Sequence, residues 1–226
     1  KDPHKIRRMF DGVAPSYDFL NRLLSLGMDR FWRRNLVRRI DDPPVLDLAC
    51  GSGDVLCKLA RFERGRGALG LDFSREMLDR AHKKLEPIDP SVGLVQGDAL
   101  QLPVKNRAYG GVTCAFGVRN FQNRPEAFRE AHRVLQSGGS IVILEFFPPD
   151  DSFWGRPIRW YLGSVLPAFG RYFSDSGEAY DYLQRSIEGF VPADVLRQEL
   201  SEAGFIRISE ENQFFGLVKI ITAQKG

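Results

Sequence analysis

The spacing of hydrophobic positions changes character along the chain. Up to residue 40 it is helical: Ile6, Met9, Phe10 and Val13 before Pro15, then Phe19, Leu20, Leu23 and Leu24, and after Gly27 a run of Phe31, Trp32, Leu36, Val37 and Ile40. From 45 to 146 short apolar runs alternate with amphipathic ones. Those at 45–48, 68–71, 94–95, 111–116 and 141–146 read as strands, and 54–62, 74–85 and 125–135 as helices. Ser74 is placed to cap the second of these helices; Pro125 opens the third, which Gly138-Gly139 is expected to close. Strands and helices alternating at such short intervals predict a parallel, doubly wound α/β sheet.

Residues 148–190 break the rhythm. Pro148 and Pro149 close a strand, and 153–173 gathers Trp154, Trp160, Tyr161, Phe169, Tyr172 and Phe173, too aromatic for a linker. A helix over 192–203 is stopped by Gly204. Two last strands, 205–215 and 217–223, are joined tightly through Gly216 into an antiparallel hairpin. The expectation is one seven-stranded domain, 1–226, with a helical cap at 1–40 and a lid insertion at 148–190.

Composition narrows the class. A chain of 226 residues, 43% hydrophobic and 27% charged, suits one globular unit with a sizeable core. A net charge of +3 is too small to point to nucleic acid. The three cysteines, Cys50, Cys57 and Cys114, lack C-x-x-C spacing, so neither a disulfide framework nor a metal site is indicated and a reducing cytoplasm fits. No apolar run reaches the ~18 residues of a membrane span. Arg30, Arg33, Arg34, Arg38 and Arg39 share the polar side of the third N-terminal helix, either a solvated basic face or one drawn to anionic lipid.

The candidate chemistry lies at strand ends. The strand carrying Asp47 runs into Cys50-Gly51-Ser52-Gly53-Asp54, where two glycines let backbone approach a ligand closely. The third glycine of a dinucleotide fingerprint would fall at 56, which is Leu56, and no phosphate-cradling P-loop occurs. The turn resembles motif I of the S-adenosylmethionine-dependent methyltransferases. Ligands of such sheets sit beyond the carboxyl ends of the strands, and Asp72, Asp98 and Arg119-Asn120 each follow a strand. A carboxylate at Asp72 suits a ribose diol, beside its plainer role as an acid at a helix start. Asp98, next to Ala99, suits the exocyclic amine of adenine. Ser52 reaches a carboxylate or only its own turn. Arg119 and Asn120 are placed to meet a substrate; alternatively, Arg119 makes an ion pair that holds the loop. His4, His82 and His132 lie away from strand ends, and no Ser/His/Asp or Cys/His constellation appears.

Longer stretches carry a sharper resemblance. Residues 17–32, Tyr17-Asp18-Phe19-Leu20-Asn21 through Gly27-Met28-Asp29-Arg30-Phe31-Trp32, closely resemble the N-terminal signature of the ubiquinone/menaquinone biosynthesis C-methyltransferases of the UbiE/MenG type. So do Phe116-Gly117-Val118-Arg119-Asn120, the stretch from Arg133 to Gly139 followed by Leu144-Glu145-Phe146, and Tyr182 to Ile187 with Phe190 and Ala203-Gly204-Phe205. The chain departs from the family pattern at Asp29, usually His, at Gln136-Ser137, usually Lys-Pro, at Phe147 and in its last strand.

The resemblance implies a Rossmann-like fold and methyl transfer from S-adenosyl-L-methionine to a ring carbon of a polyprenylated quinol. It places Asp47, Gly51, Ser52, Gly53, Asp72, Phe73, Asp98, Ala99 and Ala115 at the cofactor. It sets Arg119 and Asn120 at the substrate oxygen, where a cation favours the phenolate. The base is left between Tyr17 and solvent, since an arginine is a poor proton acceptor. A membrane-dissolved substrate implies weak peripheral contact with the membrane, and the family pattern allows a homodimer. Two rival readings stand beside it: a methyltransferase of a small soluble metabolite, and a non-catalytic cofactor-binding subunit of a biosynthetic assembly.

Overall fold

The computed structural model describes residues 22, 25–62, 64–149 and 177–226. Helix α1 (Asp29–Val37) precedes β1 (Val45–Leu48), α2 (Asp54–Arg61), β2 (Leu69–Asp72), α3 (Arg75–Leu85), β3 (Gly93–Gln96) and β4 (Tyr109–Ala115). A 3₁₀ turn (Val118–Asn120) leads into α4 (Arg124–Val134) and β5 (Leu135–Phe146). After α5 (Gly177–Glu188) and α6 (Ala193–Glu202), β6 (Phe205–Phe214) and β7 (Val218–Lys225) close the chain.

The seven strands form one sheet in the order β3-β2-β1-β4-β5-β7-β6. The first five are parallel; β7 runs antiparallel on β5 and forms the expected hairpin with β6. Alternation along each strand sends side chains to two cores. Leu46, Leu48, Val112, Ile141 and Ile143 pack with Phe128 of α4 and Leu196 and Leu200 of α6. Val45, Val142 and Leu144 pack with Trp32, Leu36, Leu56, Leu59, Leu78 and Ala81 of α1, α2 and α3. Burying both faces is what a parallel sheet requires, and it explains why these strands read as continuous apolar runs.

Local chemistry sets several boundaries. Ser74 caps α3 by accepting from the Met77 N–H at 3.2 Å. Asn123 does the same for α4, accepting from the Glu126 N–H. Gly204, at φ +96°, stops α6 where a side chain would be strained.

Three expectations are corrected. Gly138 and Gly139 do not end α4: the helix stops at Val134 and both glycines lie inside β5. Arg33 does not belong to the solvated basic face, because it is buried against Asp29 and lies 5.2 Å from the centre of the Phe116 ring. Phe31, counted with the apolar face, is 55% exposed instead. The aromatic stretch 153–173 and most of the N-terminal cap lie outside the described residues.

Candidate active site

Strand order reverses between β1 and β4, and a cavity of about 140 Å³ opens beyond their carboxyl ends. Its wall includes Gly51 of the first turn, Asp72, Phe73 and Met77 after β2, Asp98 and Ala99 after β3, and Ala115, Phe116, Asn120 and Phe121 after β4. Four loops separated in sequence thus converge because their strands are parallel neighbours. A second, smaller cavity of about 20 Å³ shares Ala49, Gly51 and Ala115 with the first, and adds Arg33, Asp47, Cys50, Ser52, Asp54 and Val55.

The first turn is left-handed at alternate positions: Ala49 at φ +51°, Gly51 at +54° and Gly53 at +82°. A Cβ on Gly53 would approach the Ala81 Cβ to 3.0 Å, so this glycine serves the packing of α3 against the turn. Gly53 lines neither cavity. Asp72 reaches back to the turn: Oδ2 accepts from the Gly51 N–H at 2.7 Å and Oδ1 from the Ser74 N–H at 2.8 Å. Both bonds use charge-assisted acceptors to fix the loops on either side of the cavity. Asp98 Oδ1 accepts from the Leu100 N–H at 2.9 Å, which shapes the loop carrying Ala99.

Asp47 stands in the wall of the smaller cavity. Thr113 Oγ1 donates to its Oδ1 at 2.6 Å, while Oδ2 is buried with no partner among the described residues. Burial pushes this carboxyl up to about 7, against the Thr113 hydrogen bond and the Arg33 charge, which pull it down. Ser52 Oγ accepts from Lys84 Nζ at 2.9 Å, and the same ammonium lies 2.8 Å from Asp54 Oδ1. Ser52 therefore sits in a charged network rather than in an ordinary turn.

Arg119 lines neither cavity. Its Nη1 donates to Glu145 Oε1 at 2.7 Å and to the Phe116 carbonyl at 2.6 Å, and Nε donates to Ser186 Oγ at 3.3 Å. The pair is nearly dry, with the Glu145 side chain wholly buried. Of the two readings of Arg119, the geometry has the loop-holding ion pair. Asn120 does face the larger cavity, and its Oδ1 accepts from the Tyr182 hydroxyl at 2.9 Å. Burial raises the Tyr182 phenol above its ordinary value. Tyr17 lies outside the described residues.

Sequence reasoning missed Glu145, Ser186, Tyr182 and Arg33 as parts of this region. The first carried a signal: an acid inside the apolar run 141–146 has to be buried, and a buried acid needs a cation. Among the described residues no group of histidines, cysteines and carboxylates is arranged to hold a metal, and no helix is long and apolar enough to cross a membrane.

Similar folds occur among solved structures. A SAM-dependent methyltransferase of Thermotoga maritima superposes with a TM-score of 0.70 at 16% identity, over 97% of this chain and 99% of that one. Phosphoethanolamine N-methyltransferase 2 of Haemonchus contortus, solved with S-adenosyl-L-methionine, gives 0.62 at 17% identity, over 85% of this chain and 52% of that one. At these identities the likeness is one of fold. Sequence relatives are closer. The demethylmenaquinone methyltransferase of Thermus thermophilus is 40% identical, covering 94% of this chain and 97% of that one. The ubiquinone/menaquinone biosynthesis C-methyltransferase UbiE of Geobacter sulfurreducens is 38% identical over 98% of this chain and 89% of its own length. Since the profile of the ubiE/COQ5 methyltransferase family also matches residues 1–225, from before the first signature to the last strand, the chain belongs to that family.

Proposed function

We propose that the protein transfers a methyl group from S-adenosyl-L-methionine to a ring carbon of a polyprenylated quinol, a demethylmenaquinol in the first instance. The observation that carries this reading is the line of polar groups along the two joined cavities: Asp98 and Asp72 at one end, the glycine turn between, and the unpartnered Asp47 Oδ2 at the other. These residues fit the cofactor part by part. Asp98 with Ala99 suits adenine, Asp72 with Phe73 suits the ribose diol, and Gly51, Ser52 and Asp47 suit the amino-acid end. When bound, the cofactor supplies an electrophilic methyl group. The names of the relatives support the quinol.

The chain's own task is to raise the nucleophilicity of the ring and to hold it in line. A free phenol has a pKa near 10, so the site has to favour the phenolate. Asn120 is placed for this, because its Oδ1 is occupied by Tyr182 and its amide N–H groups are left to donate toward the cavity. We assign Asn120 to the substrate oxygen, and Arg119 to positioning the loop that carries Asn120 and Phe116. Proton removal is assigned to Tyr17 or solvent. Alignment of the ring with the methyl donor is then the largest single contribution available.

Peripheral contact with an anionic membrane belongs to the same proposal, because the substrate tail is membrane-dissolved. Exposed Leu26, Phe31 and Phe62 beside Arg30, Arg34 and Arg38 support it. The deciding experiment offers the purified protein short-tailed demethylmenaquinol and 2-polyprenyl-6-methoxy-1,4-benzoquinol, each with methyl-labelled cofactor. Label in the naphthoquinol product is expected. Label in neither product overturns the quinol reading.

A further inference from the structure

We propose that Glu130 and Arg133, one turn apart on α4, are positioning residues for the base end of the cofactor: together they anchor the loop whose residues Asp98, Ala99 and Leu100 wall the larger cavity. The inference rests on the cofactor reading above and adds two residues that line neither cavity themselves.

That loop draws little support from the sheet. It leaves β3, a four-residue strand at the sheet edge with β2 as its one neighbour, so β3 is held from one side. Within the wall, the Leu100 N–H donates to Asp98 Oδ1 at 2.9 Å and the Gln101 N–H to the Asp98 carbonyl at 3.1 Å. These bonds fold the turn on itself without fixing it to another element.

Helix α4 supplies the anchor two residues beyond Leu100. Glu130 Oε2 accepts from the Leu102 N–H at 2.7 Å, and Arg133 Nη2 donates to the Leu102 carbonyl at 3.1 Å. One ion pair thus takes both backbone polar groups of Leu102, as a neighbouring strand would. The Leu102 side chain is buried in the core shared with α4, so the anchored point is also packed. Arg133 Nη1 goes on to the Val104 carbonyl at 2.9 Å and to Asn106 Oδ1 at 2.6 Å. Its Nε and Nη2 close a two-pronged bridge on Glu130 at 2.6 and 2.8 Å. Every N–H of the guanidinium then has an acceptor, a set that lysine, with three donors and no planar fork, cannot match. The electrostatics agree: the bond to Arg133 leads in holding Glu130 below its ordinary value, and Glu130 holds Arg133 above its own. Arg124, at the other end of the helix, spends the same fork on Glu199 of α6, at 2.9 and 2.7 Å, and so serves helix packing.

Calorimetry tests this with S-adenosylhomocysteine and S-inosylhomocysteine, which share the sugar and the amino-acid end and differ at the base amine. The parent is expected to bind the adenine ligand at least about tenfold more tightly. Arg133→Lys should cut that preference to about threefold or less by weakening the adenine ligand, with the S-inosylhomocysteine affinity within about twofold of the parent. Glu130→Gln should move the preference in the same direction. Arg124→Lys loosens α4 without touching the loop, and should leave both affinities within about twofold of the parent. An unchanged preference in Arg133→Lys, an equal loss of both ligands, or the same loss in Arg124→Lys overturns the assignment. So does a parent that binds both ligands alike, or failure of both Arg133→Lys and Glu130→Gln to fold. A parent protein that binds neither ligand overturns the cofactor reading itself, which is a separate outcome.

Discussion

Arg119 Nη1 donates to the carbonyl oxygen of Phe116 at 2.6 Å, and Phe116 is held at φ +60° with its ring in the wall of the larger cavity. A left-handed phenylalanine costs on the order of 1–3 kcal/mol and persists only where the surroundings over-determine it. Here they do. The Phe116 ring stacks on Phe146 at 4.7 Å, and a guanidinium lies over each ring: Arg33 over Phe116 at 5.2 Å and Arg119 over Phe146 at 5.7 Å. Each arginine is paired with a buried carboxylate, Asp29 or Glu145. The stack ties α1 to the ends of β4 and β5, and so braces the β4 side of the larger cavity.

Removing one member of the Arg119–Glu145 pair should therefore be a stability event before it is a catalytic one. Arg119→Ala strands a buried carboxylate and is expected to cost about 3–5 kcal/mol in urea unfolding. Arg119→Met combined with Glu145→Gln should recover more than half of that, since no buried charge is left unpaired and the single Gln oxygen still accepts from one of the two backbone N–H groups, of Arg119 or Phe146, that Glu145 serves with two. A single variant within about 1 kcal/mol of the parent would show that the pair does not hold the loop.

The catalytic burden should fall on the neighbouring residue. Asn120→Ala is expected to lower kcat by roughly 10²–10³, the usual effect of deleting one donor aimed at a developing oxyanion. Tyr182→Phe, which removes only the bond that orients the amide, should cost about tenfold or less. Steady-state kinetics with the short-tailed quinol separates the two, and an unchanged kcat in Asn120→Ala removes the residue from the mechanism.

Most of the frame and half of this site were legible in the sequence. The seven strands, the antiparallel hairpin and the polar strand ends at Asp72, Asp98 and Asn120 follow from periodicity and from where α/β sheets bind ligands. A Gly-Gly pair after an amphipathic run reads as a helix stop, whereas here it lies in an irregularity of β5: Leu135 already pairs with Tyr109 of β4, and regular pairing with β4 and β7 resumes only at Ser140. Arg119 was ambiguous because its partner lies 26 residues away on another strand, a separation that local pattern cannot see. Arg33 reads as a surface charge for the same reason: what buries it includes Phe116, which is remote in sequence, and not its own helix alone.

Asp72 should prove to be a ligand residue and a turn residue together. Asp72→Ala loses the acceptors of the Gly51 and Ser74 N–H groups as well as the proposed ribose contact. S-adenosylhomocysteine affinity is expected to fall by about 1.5–3 kcal/mol. Calorimetry showing the parent affinity would remove Asp72 from the cofactor site.

Asp47 sets a pH dependence with a definite sign. Burial raises its folded-state pKa to about 7, so between pH 4 and 7 the folded protein keeps a proton that the unfolded chain has lost. Stability from this group is thus present at low pH, falls as pH rises through that window and is flat above it. The slope is about 1.4 kcal/mol per pH unit, on the order of 4 kcal/mol in all as an upper bound. Asp47→Asn should flatten this part of the unfolding profile. An equal slope in both proteins would show that Asp47 ionises freely in the folded state.

Membrane contact depends on two terms that the N-terminal region brings together. Leu26, Phe31 and Phe62 are exposed by 79%, 55% and 39%, unusual values for large apolar side chains. Arg30, Arg34 and Arg38 are exposed among them, and the Arg34 guanidinium lies 5.9 Å from the centre of the Phe62 ring. Shallow apolar insertion and attraction to anionic lipid each give weak binding alone and useful binding together. Flotation with vesicles containing anionic lipid should recover the protein at low salt and lose it as salt is raised. Arg34→Glu with Arg38→Glu should abolish flotation, Phe31→Ser should weaken it, and neither change should alter turnover of a tail-less quinol. If the parent stays with the soluble fraction at low salt while turning over that quinol fully, the face is solvated and the tail must be delivered by another route.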